Sequence, residues 1–272
     1  MTSNKNVANT VIGDVDLFGH EGQAKMYRDF RPVYPEALVQ YVLSLVAEED
    51  RNTYVDVACG SGQLTTKMSP FFQSAVGLDK SFEQLGQAEG VNVEWKPGSA
   101  FDLPFPASSV DLVTVAQGLH WLVPYEEFFK QVDRALKPGG VFAAVAYAFP
   151  KLLNADSNRI VRYFYEDILG GHKSPGQDGC WWETNRPTID GFYADVPFPP
   201  TRQIKHFTQR ESLTVEHYTN YLRTLSAYRT LMRMSPPATD PIDDIKAKLF
   251  VIASNGLVDI EIDFFVVSYM KQ

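Results

Sequence analysis

The residues best placed to do chemistry stand at the ends of two short apolar segments. Residues 54–58 lead into Gly60 and Gly62, and residues 75–78 lead into Asp79. Glycines between a strand and a helix let a ligand approach the backbone, where free N–H groups bind it. An acidic side chain at the end of the next strand can accept two hydrogen bonds from a ribose diol. A glycine turn alone is an ordinary tight turn, but the combination predicts a nucleoside site.

The third position of the glycine pattern separates two kinds of nucleoside. A dinucleotide fingerprint reads G-x-G-x-x-G/A, and its last small residue allows close packing of the helix. Thr65 stands at that position. The loop therefore fits poorly around a pyrophosphate and favours a ligand with a ribose and an adenine but no diphosphate. An NAD(P)-dependent oxidoreductase remains the alternative, disfavoured by Thr65 and by the lack of a Ser/Tyr-x-x-x-Lys catalytic group.

The elements that must position these residues alternate along the chain. Apolar segments that read as strands lie at residues 54–58, 75–79, 91–95, 110–116 and 141–146, with helical segments between them. Strands alternating with helices predict an α/β fold, with a parallel sheet covered on both faces. Residues 258–264 alternate apolar with acidic side chains, which is typical of a half-exposed strand in an edge or antiparallel position.

The chain divides into three expected parts. Residues 1–150 carry two N-terminal helices, at 17–30 and 35–47, and the nucleotide-binding part of the sheet. Residues 151–235 are rich in aromatic residues, show only weak strand signals and include a helix at 214–234; they predict an insert that caps the sheet. Residues 236–272 predict a C-terminal helix and edge strands that complete the sheet.

Composition excludes several classes of protein. A chain of 272 residues that is 44% hydrophobic can bury a large core, and its net charge of −8 argues against binding nucleic acid. One or two buried arginines still suffice to bind a small anion. The two cysteines, Cys59 and Cys180, predict neither a disulfide framework nor a zinc site, and no metal is expected. The sequence shows no secretory signal and no membrane span, so we expect a cytoplasmic protein.

Four stretches of the sequence resemble class I S-adenosylmethionine-dependent methyltransferases. The matching motifs are Asp56–Gly62, Gly77–Ser81, Gly98–Phe105 and Leu136–Gly140, in the order and spacing of that family. Ala58 departs from the first motif, where the family usually has glycine. The resemblance implies a Rossmann-like, seven-stranded, mostly parallel sheet with helices on both faces and an insert after the fifth strand. It also implies S-adenosyl-L-methionine as cofactor.

Further stretches resemble the trans-aconitate-methyltransferase-like branch of the family. They are Tyr27-x-x-x-Arg31-Pro32-x-Tyr34-Pro35 and Ala116–Trp121, with patchier similarity at Trp182–Pro199 and Leu222–Ser226. In that branch the upstream segment folds over the cofactor, and the residues after the fourth strand close one side of the methionine pocket. The resemblance implies methyl transfer to a small molecule by a monomer or homodimer. A non-catalytic S-adenosylmethionine-binding protein is a further alternative.

The resemblance also implies the contacts of the cofactor. Asp79 is the ribose ligand, and the segment from Ser99 to Phe101 meets the adenine, although Ser99 replaces the usual acid. The implied cofactor-binding set is Tyr27, Arg31, Ala58, Gly60, Gly62, Asp79, Lys80, Gln84, Ser99, Ala100, Phe101, Gln117 and His120.

No residue is an assured catalytic group, but some could position a substrate. The candidates are His120, Arg31, Trp121 and Arg223. His120 could orient a substrate or take a proton, or simply cap the segment after the fourth strand. Arg31 could contact the cofactor carboxylate or a substrate anion. Arg31, Arg186 and Arg223 could hold an organic acid, so we expect O-methylation of a carboxylic acid.

Overall fold

A single mixed sheet forms the centre of the computed structural model, which describes residues 22–170 and 193–272. Its strands are β1 (Thr53–Val57), β2 (Ser74–Asp79), β3 (Val93–Pro97), β4 (Val110–Ala116), β5 (Leu136–Tyr147), β6 (Lys151–Leu152), β7 (Gln203–Thr214) and β8 (Leu257–Met270). The first five strands run parallel in the order β3-β2-β1-β4-β5. Only β8 runs antiparallel, between β5 and β7, and the two-residue β6 also pairs with it. The predicted α/β fold with a mostly parallel sheet is confirmed, with eight strands in the sheet.

Helices cover the sheet and its carboxyl edge. They are α1 (Gln23–Phe30), α2 (Glu36–Ser44), α3 (Thr65–Met68), α4 (Phe82–Leu85), α5 (Tyr125–Ala135), α6 (Ala155–Tyr163), α7 (Val215–Arg223), α8 (Ser226–Met234) and α9 (Pro241–Ile252). The helix expected over 214–234 is in fact two helices, because Leu225 adopts extended backbone between them. Of the helix expected over 17–30, the part before residue 22 lies outside the described residues.

The sheet separates two hydrophobic cores. Along β4 and β5, Leu112 and Val145 face a core that includes α2, whereas Val113 and Phe142 face one that includes Phe128 of α5. Both faces are buried because helices lie on both sides, which is why these strands are continuously apolar. Each such Val or Leu side chain contributes roughly 1.5–3 kcal/mol on burial. The central strands are therefore rigid supports for the loops at their carboxyl ends.

The last two strands form a polar ladder that the sequence indicated only in part. The strand expected over 258–264 extends to Met270 and lies in the interior of the sheet, antiparallel to both neighbours. The strand β7, which was not predicted, pairs with β8 from Gln203 to Thr214. Exposed cross-strand pairs such as Arg210–Glu261 join the two strands. β7 lies within the predicted insert, whose boundaries stay a prediction.

Within the described parts of the chain, no helix is long and apolar enough to cross a membrane. The same residues contain no group of three or more His, Cys, Asp or Glu side chains that could hold a metal ion.

Candidate functional site

A left-handed turn follows β1. Ala58, Gly60 and Gly62 have φ of 54°, 56° and 79°. The turn is fixed to β2 because the N–H of Cys59 donates to the carbonyl of Leu78 at 3.1 Å. A left-handed residue other than glycine costs roughly 1–2 kcal/mol. Ala58 therefore carries backbone strain at the position where the family usually has glycine.

Asp79 joins this turn to the start of α4. One carboxylate oxygen accepts the N–H of Gly60 at 2.8 Å, and the other accepts the N–H of Ser81 at 2.9 Å. Burial raises the pKa of Asp79, while these two backbone hydrogen bonds act in the opposite direction. Each oxygen keeps a further lone pair. The carboxylate is therefore held in place and can still accept hydrogen bonds from a ligand.

Two more polar atoms lie buried around the same turn. The side-chain carbonyl oxygen of Gln84 and the hydroxyl of Ser61 have no hydrogen-bond partner among the described residues. A Cβ on Gly60 would lie 3.7 Å from that Gln84 oxygen, so the amide faces the turn. Buried polar groups are almost always hydrogen-bonded in proteins. Together with Asp79 they form a set of acceptors suited to a ligand that carries hydroxyl and amino donors.

Asp56 lies below the turn and is fully buried. The hydroxyls of Thr65 and Thr114 donate to its two oxygens at 2.6 and 2.7 Å. Burial raises its pKa to about 6, although the two threonine hydrogen bonds lower it. Sequence reasoning singled out Thr65 as the residue that breaks the dinucleotide pattern, but it did not foresee that Thr65 and Thr114 bind Asp56. The hydroxyl of Thr65 here fixes the start of α3 to the end of β1.

The segment expected at the adenine follows β3. Ser99 is exposed, and its hydroxyl accepts the N–H of Phe101 at 3.1 Å. Ala100 is buried, and Phe101 packs partly against the core beneath β4. Lys80, at the end of β2, is exposed. The N–H of Phe101 is thus already bonded within the loop, and the adenine contacts stay a prediction.

Arg31, at the end of α1, lies among tyrosines at the carboxyl end of β5. Its terminal nitrogens donate to the hydroxyl of Tyr147 at 3.3 Å and to the carbonyl of Thr224 at 3.0 Å. Its guanidinium lies over the rings of Tyr27 and Tyr221, with 4.6 and 5.6 Å to the centroids. The Nε atom is buried and has no acceptor among the described residues. Within this part of the chain, no carboxylate lies within ion-pair distance of Arg31.

The turn after β4 brings His120 into the same region. Gln117 adopts φ of 57°, and its side chain donates to the carbonyl of Tyr147 at 3.1 Å. The rings of His120 and Trp121 are 4.8 Å apart. Burial lowers the pKa of His120 to about 3, with a further contribution from the charge of Arg31. His120 is therefore neutral at physiological pH and is a weak base.

Arg223 has partners of its own. Its guanidinium binds Asp240 at 3.2 Å and Asp243 at 2.6 Å, at the start of α9, and Tyr228 donates to the same Asp240. Arg223, a candidate for positioning the substrate, thus has its guanidinium on carboxylates at the start of α9, and its contact with a substrate stays a prediction. The neighbouring carbonyl, of Thr224, is the group that binds Arg31. Arg186 and Trp182 lie outside the described residues.

Comparisons with known proteins agree with this geometry. Residues 55–144 match the model of a protein family described as a methyltransferase domain. A Dictyostelium discoideum protein described as a methyltransferase is 26% identical over 94% of this chain and 95% of its own. A Saccharomyces cerevisiae protein described as an S-adenosylmethionine-dependent methyltransferase is 26% identical over 80% of this chain and 83% of its own. The solved structure of a protein from Anaeromyxobacter dehalogenans, described as a type II methyltransferase, superposes with a TM-score of 0.73. It is 25% identical and covers 89% of this chain and 98% of that one.

The fold, the glycine turn and the relatives are similar to those of class I methyltransferases. The chain is an S-adenosylmethionine-dependent methyltransferase. The acceptors of Asp79, Gln84 and Ser61 fit this cofactor, whose ribose hydroxyls and methionine amine are donors.

Proposed function

We propose that the enzyme methylates a carboxylate oxygen of a small organic acid. The proposal follows the trans-aconitate-methyltransferase-like branch that residues 27–35 and 116–121 resemble. The observation that carries it is the buried guanidinium of Arg31, which donates to neutral acceptors and whose buried Nε has no acceptor among the described residues.

A buried charge is costly unless an opposite charge pairs with it. The hydroxyl of Tyr147 and the carbonyl of Thr224 satisfy hydrogen bonds of Arg31 but bring no negative charge. An arginine edge binds a carboxylate through two parallel hydrogen bonds, because the two planar groups match. The region around Arg31 is therefore suited to an anionic planar group, and we assign that group to the substrate.

The position of Arg31 favours the substrate over the cofactor carboxylate. Its hydrogen-bond partners are Tyr147, at the end of β5, and Thr224, just after α7. The glycine turn follows β1, and β4 lies between β1 and β5. Two strand positions correspond to roughly 10 Å, because neighbouring strands are about 4.8 Å apart. His120, which feels the charge of Arg31, lies at the end of the intervening strand β4.

The chemistry requires little acid–base catalysis. S-adenosylmethionine supplies an electrophilic methyl group on a positively charged sulfur. A carboxylate has an ordinary pKa of about 4 and is already ionised at neutral pH. Its oxygen bonds to the methyl carbon as the carbon–sulfur bond breaks. We propose that Arg31 and the neutral His120 hold the acid in line and that Trp121 excludes water. Such alignment can supply roughly 7–11 kcal/mol.

The other half of the site is proposed to hold the cofactor. Asp79 would bind the ribose, and Gln84 and Ser61 would accept donors of the same ligand. The remaining proposed contacts are Tyr27, Ala58, Gly60, Gly62, Lys80, Ser99, Ala100, Phe101 and Gln117. We keep as proposals that the enzyme is cytoplasmic, is a monomer or homodimer, and does not act on nucleic acid.

The test is a panel of small organic acids, each paired with its primary amide, incubated with labelled cofactor. The expected products are methyl esters, formed from the acids and not from the amides. In Arg31→Gln the KM for the acid should rise more than tenfold, while Arg31→Lys should recover part of the loss, because lysine keeps the charge but not the planar fork. Methylation of nitrogen or carbon in place of a carboxylate would contradict the proposal.

A further inference from the structure

The indole of Trp95 lies where two glycines would otherwise carry side chains. Trp95 stands on β3 directly opposite Gly77 of β2. A Cβ on Gly77 would lie 2.4 Å from the Cε3 and Cζ3 atoms of the indole, and a Cβ on Gly62 would lie 2.2 Å from its Cη2 atom. Neither contact is sterically possible. The six-membered part of the indole thus occupies the room beside both glycines.

This ring lies between the sheet and the glycine turn. Gly77 belongs to the interior of β2, whereas Gly62 is the last glycine of the turn after β1. The hydroxyl of Thr66, in α3, lies 2.8 Å from the carbonyl of Gly62 and 2.6 Å from that of Glu89, before β3. The turn is therefore in contact both with the indole and with the Thr66 hydroxyl, whose one proton can go to either carbonyl. Close-packed interiors transmit such contacts because they compress little.

We propose that Trp95 is a positioning residue for the cofactor. Its ring sets the distance between β2 and the glycine turn. It thereby sets the position of the Gly60 N–H relative to the carboxylate of Asp79. Trp95 acts through the turn and does not touch the reacting atoms. This inference rests on the proposed assignment of residues 58–62 to the cofactor.

The test compares affinity for S-adenosylhomocysteine, by calorimetry, with the melting temperature. Trp95→Ala should weaken binding roughly tenfold, because hydrogen bonds between a displaced turn and the ligand become longer and less well aligned. Trp95→Phe should lose less. The matched control is Phe207→Ala, which removes a half-buried aromatic ring on β7, packed against Tyr41. It should lower the melting temperature and leave affinity unchanged, which separates positioning from general stability.

A double-mutant cycle tests the contact itself. Gly77→Ala should weaken binding when Trp95 is present, because its methyl group displaces the indole. In the Trp95→Ala background the same change should cost clearly less, since only the Sγ of Cys59, 3.1 Å from the added Cβ, remains close. If Trp95→Ala does not fold, the affinities of Gly77→Ala and Trp95→Phe for S-adenosylhomocysteine are measured in its place.

Unchanged affinity in folded Trp95→Ala and in Gly77→Ala would overturn the inference. Asp79→Asn tells this failure from a failure of the proposed cofactor site. If Asp79→Asn weakens binding and the Trp95 variants do not, only the positioning role falls. If Asp79→Asn also binds normally, the assignment of the turn to the cofactor falls with it.

Discussion

The carboxyl edge of the sheet has two halves of opposite charge, which we propose to be the cofactor half and the substrate half. The cofactor half, at the ends of β1 to β3, contains the carboxylates of Asp56 and Asp79. The substrate half, at the ends of β4 and β5, contains the buried cation of Arg31 and the neutral His120. In the proposed reaction a cationic donor meets an anionic acceptor, and each half complements its own reactant. Electrostatic interactions at such a partly dry edge are stronger than in water.

The halves also differ in what builds them. The cofactor half is mostly backbone. In its left-handed turn the N–H of Gly60 donates to Asp79, and the N–H of Gly62 donates to the carbonyl of Cys59. The substrate half is mostly side chains from distant segments, with Tyr147 and Tyr221 around Arg31. Loss of a single side chain should therefore affect binding of one reactant and leave the other half intact.

The largest effect is expected at Asp79. Asp79→Ala removes the anchor of Gly60 and the proposed ribose acceptor, and hydrogen bonds to a charged group contribute about 1.5–3 kcal/mol each. We expect affinity for S-adenosylhomocysteine to fall at least about a hundredfold, by the loss of two such bonds. Calorimetry on the folded variant measures this. Wild-type affinity would show that the cofactor half is wrongly assigned.

Arg31 should give the next largest effect, confined to the substrate half. Arg31→Gln keeps a planar donor but removes the charge, so we expect kcat/KM for the acid to fall by about 2–3 kcal/mol, or roughly 30- to 150-fold. Steady-state kinetics with the identified acid measure this. His120→Gln is the control, because a histidine with a pKa of about 3 is not a base at neutral pH. A rate limb between about pH 6 and 8 that His120→Gln abolishes would contradict the account.

Asp56 gives a smaller effect, on stability and its pH dependence. Its folded pKa is about 6, and the unfolded carboxyl titrates near 4. As pH rises between these values, the unfolded chain loses a proton that the folded protein retains, so this carboxyl disfavours folding increasingly up to about pH 6. Asp56→Asn should remove that penalty. In urea titrations, the difference in free energy of unfolding between Asp56→Asn and wild type should rise by roughly 1–3 kcal/mol in favour of the variant as the pH increases from about 4 to 7. A constant difference across that range would show that the pKa of Asp56 is not raised.

The smallest effect is expected from backbone strain in the two turns. Ala58→Gly should stabilise the fold by up to about 1 kcal/mol, because glycine adopts a positive φ without cost. Gln117→Gly relieves the same strain in the substrate half but loses the hydrogen bond from the Gln117 amide to Tyr147. It should therefore gain less or lose stability. Thermal unfolding of both variants checks this, and equal gains would show that the Gln117 side chain contributes nothing.

The positions of the glycine turn and Asp79 could be predicted from sequence because each directly follows an apolar run, whereas their contacts with the cofactor stay a prediction. The glycine turn and Asp79 follow apolar runs that β1 and β2 bear out, and their motif order matched a known family. The substrate half could not be predicted in the same way. Arg31 meets Tyr147 and Thr224, which are 116 and 193 residues away. A local sequence pattern cannot indicate pairs that are so far apart along the chain. The one available signal was that Tyr147 ends β5, at the carboxyl edge of the sheet.

The strand β7 and the residue Arg223 show two other limits of sequence reasoning. β7 has no apolar face of its own; its exposed side chains pair with those of β8, as in Thr208–Asp263. Arg223, a candidate for positioning the substrate, forms ion pairs with Asp240 and Asp243, which the local sequence pattern did not indicate. In both places tertiary pairing, and not local periodicity, decides the structure.

The central claim is that the carboxylate of Asp79 binds the cofactor and the cation of Arg31 binds the substrate. Its most direct test is the affinity of Arg31→Gln for S-adenosylhomocysteine, measured by calorimetry beside wild type and Asp79→Ala. The account predicts that Arg31→Gln binds within about threefold of wild type, a difference of less than about 0.7 kcal/mol, while Asp79→Ala binds far more weakly. Comparable losses in both variants would place Arg31 on the cofactor carboxylate. The charge of Arg31 would then no longer argue for an acidic substrate.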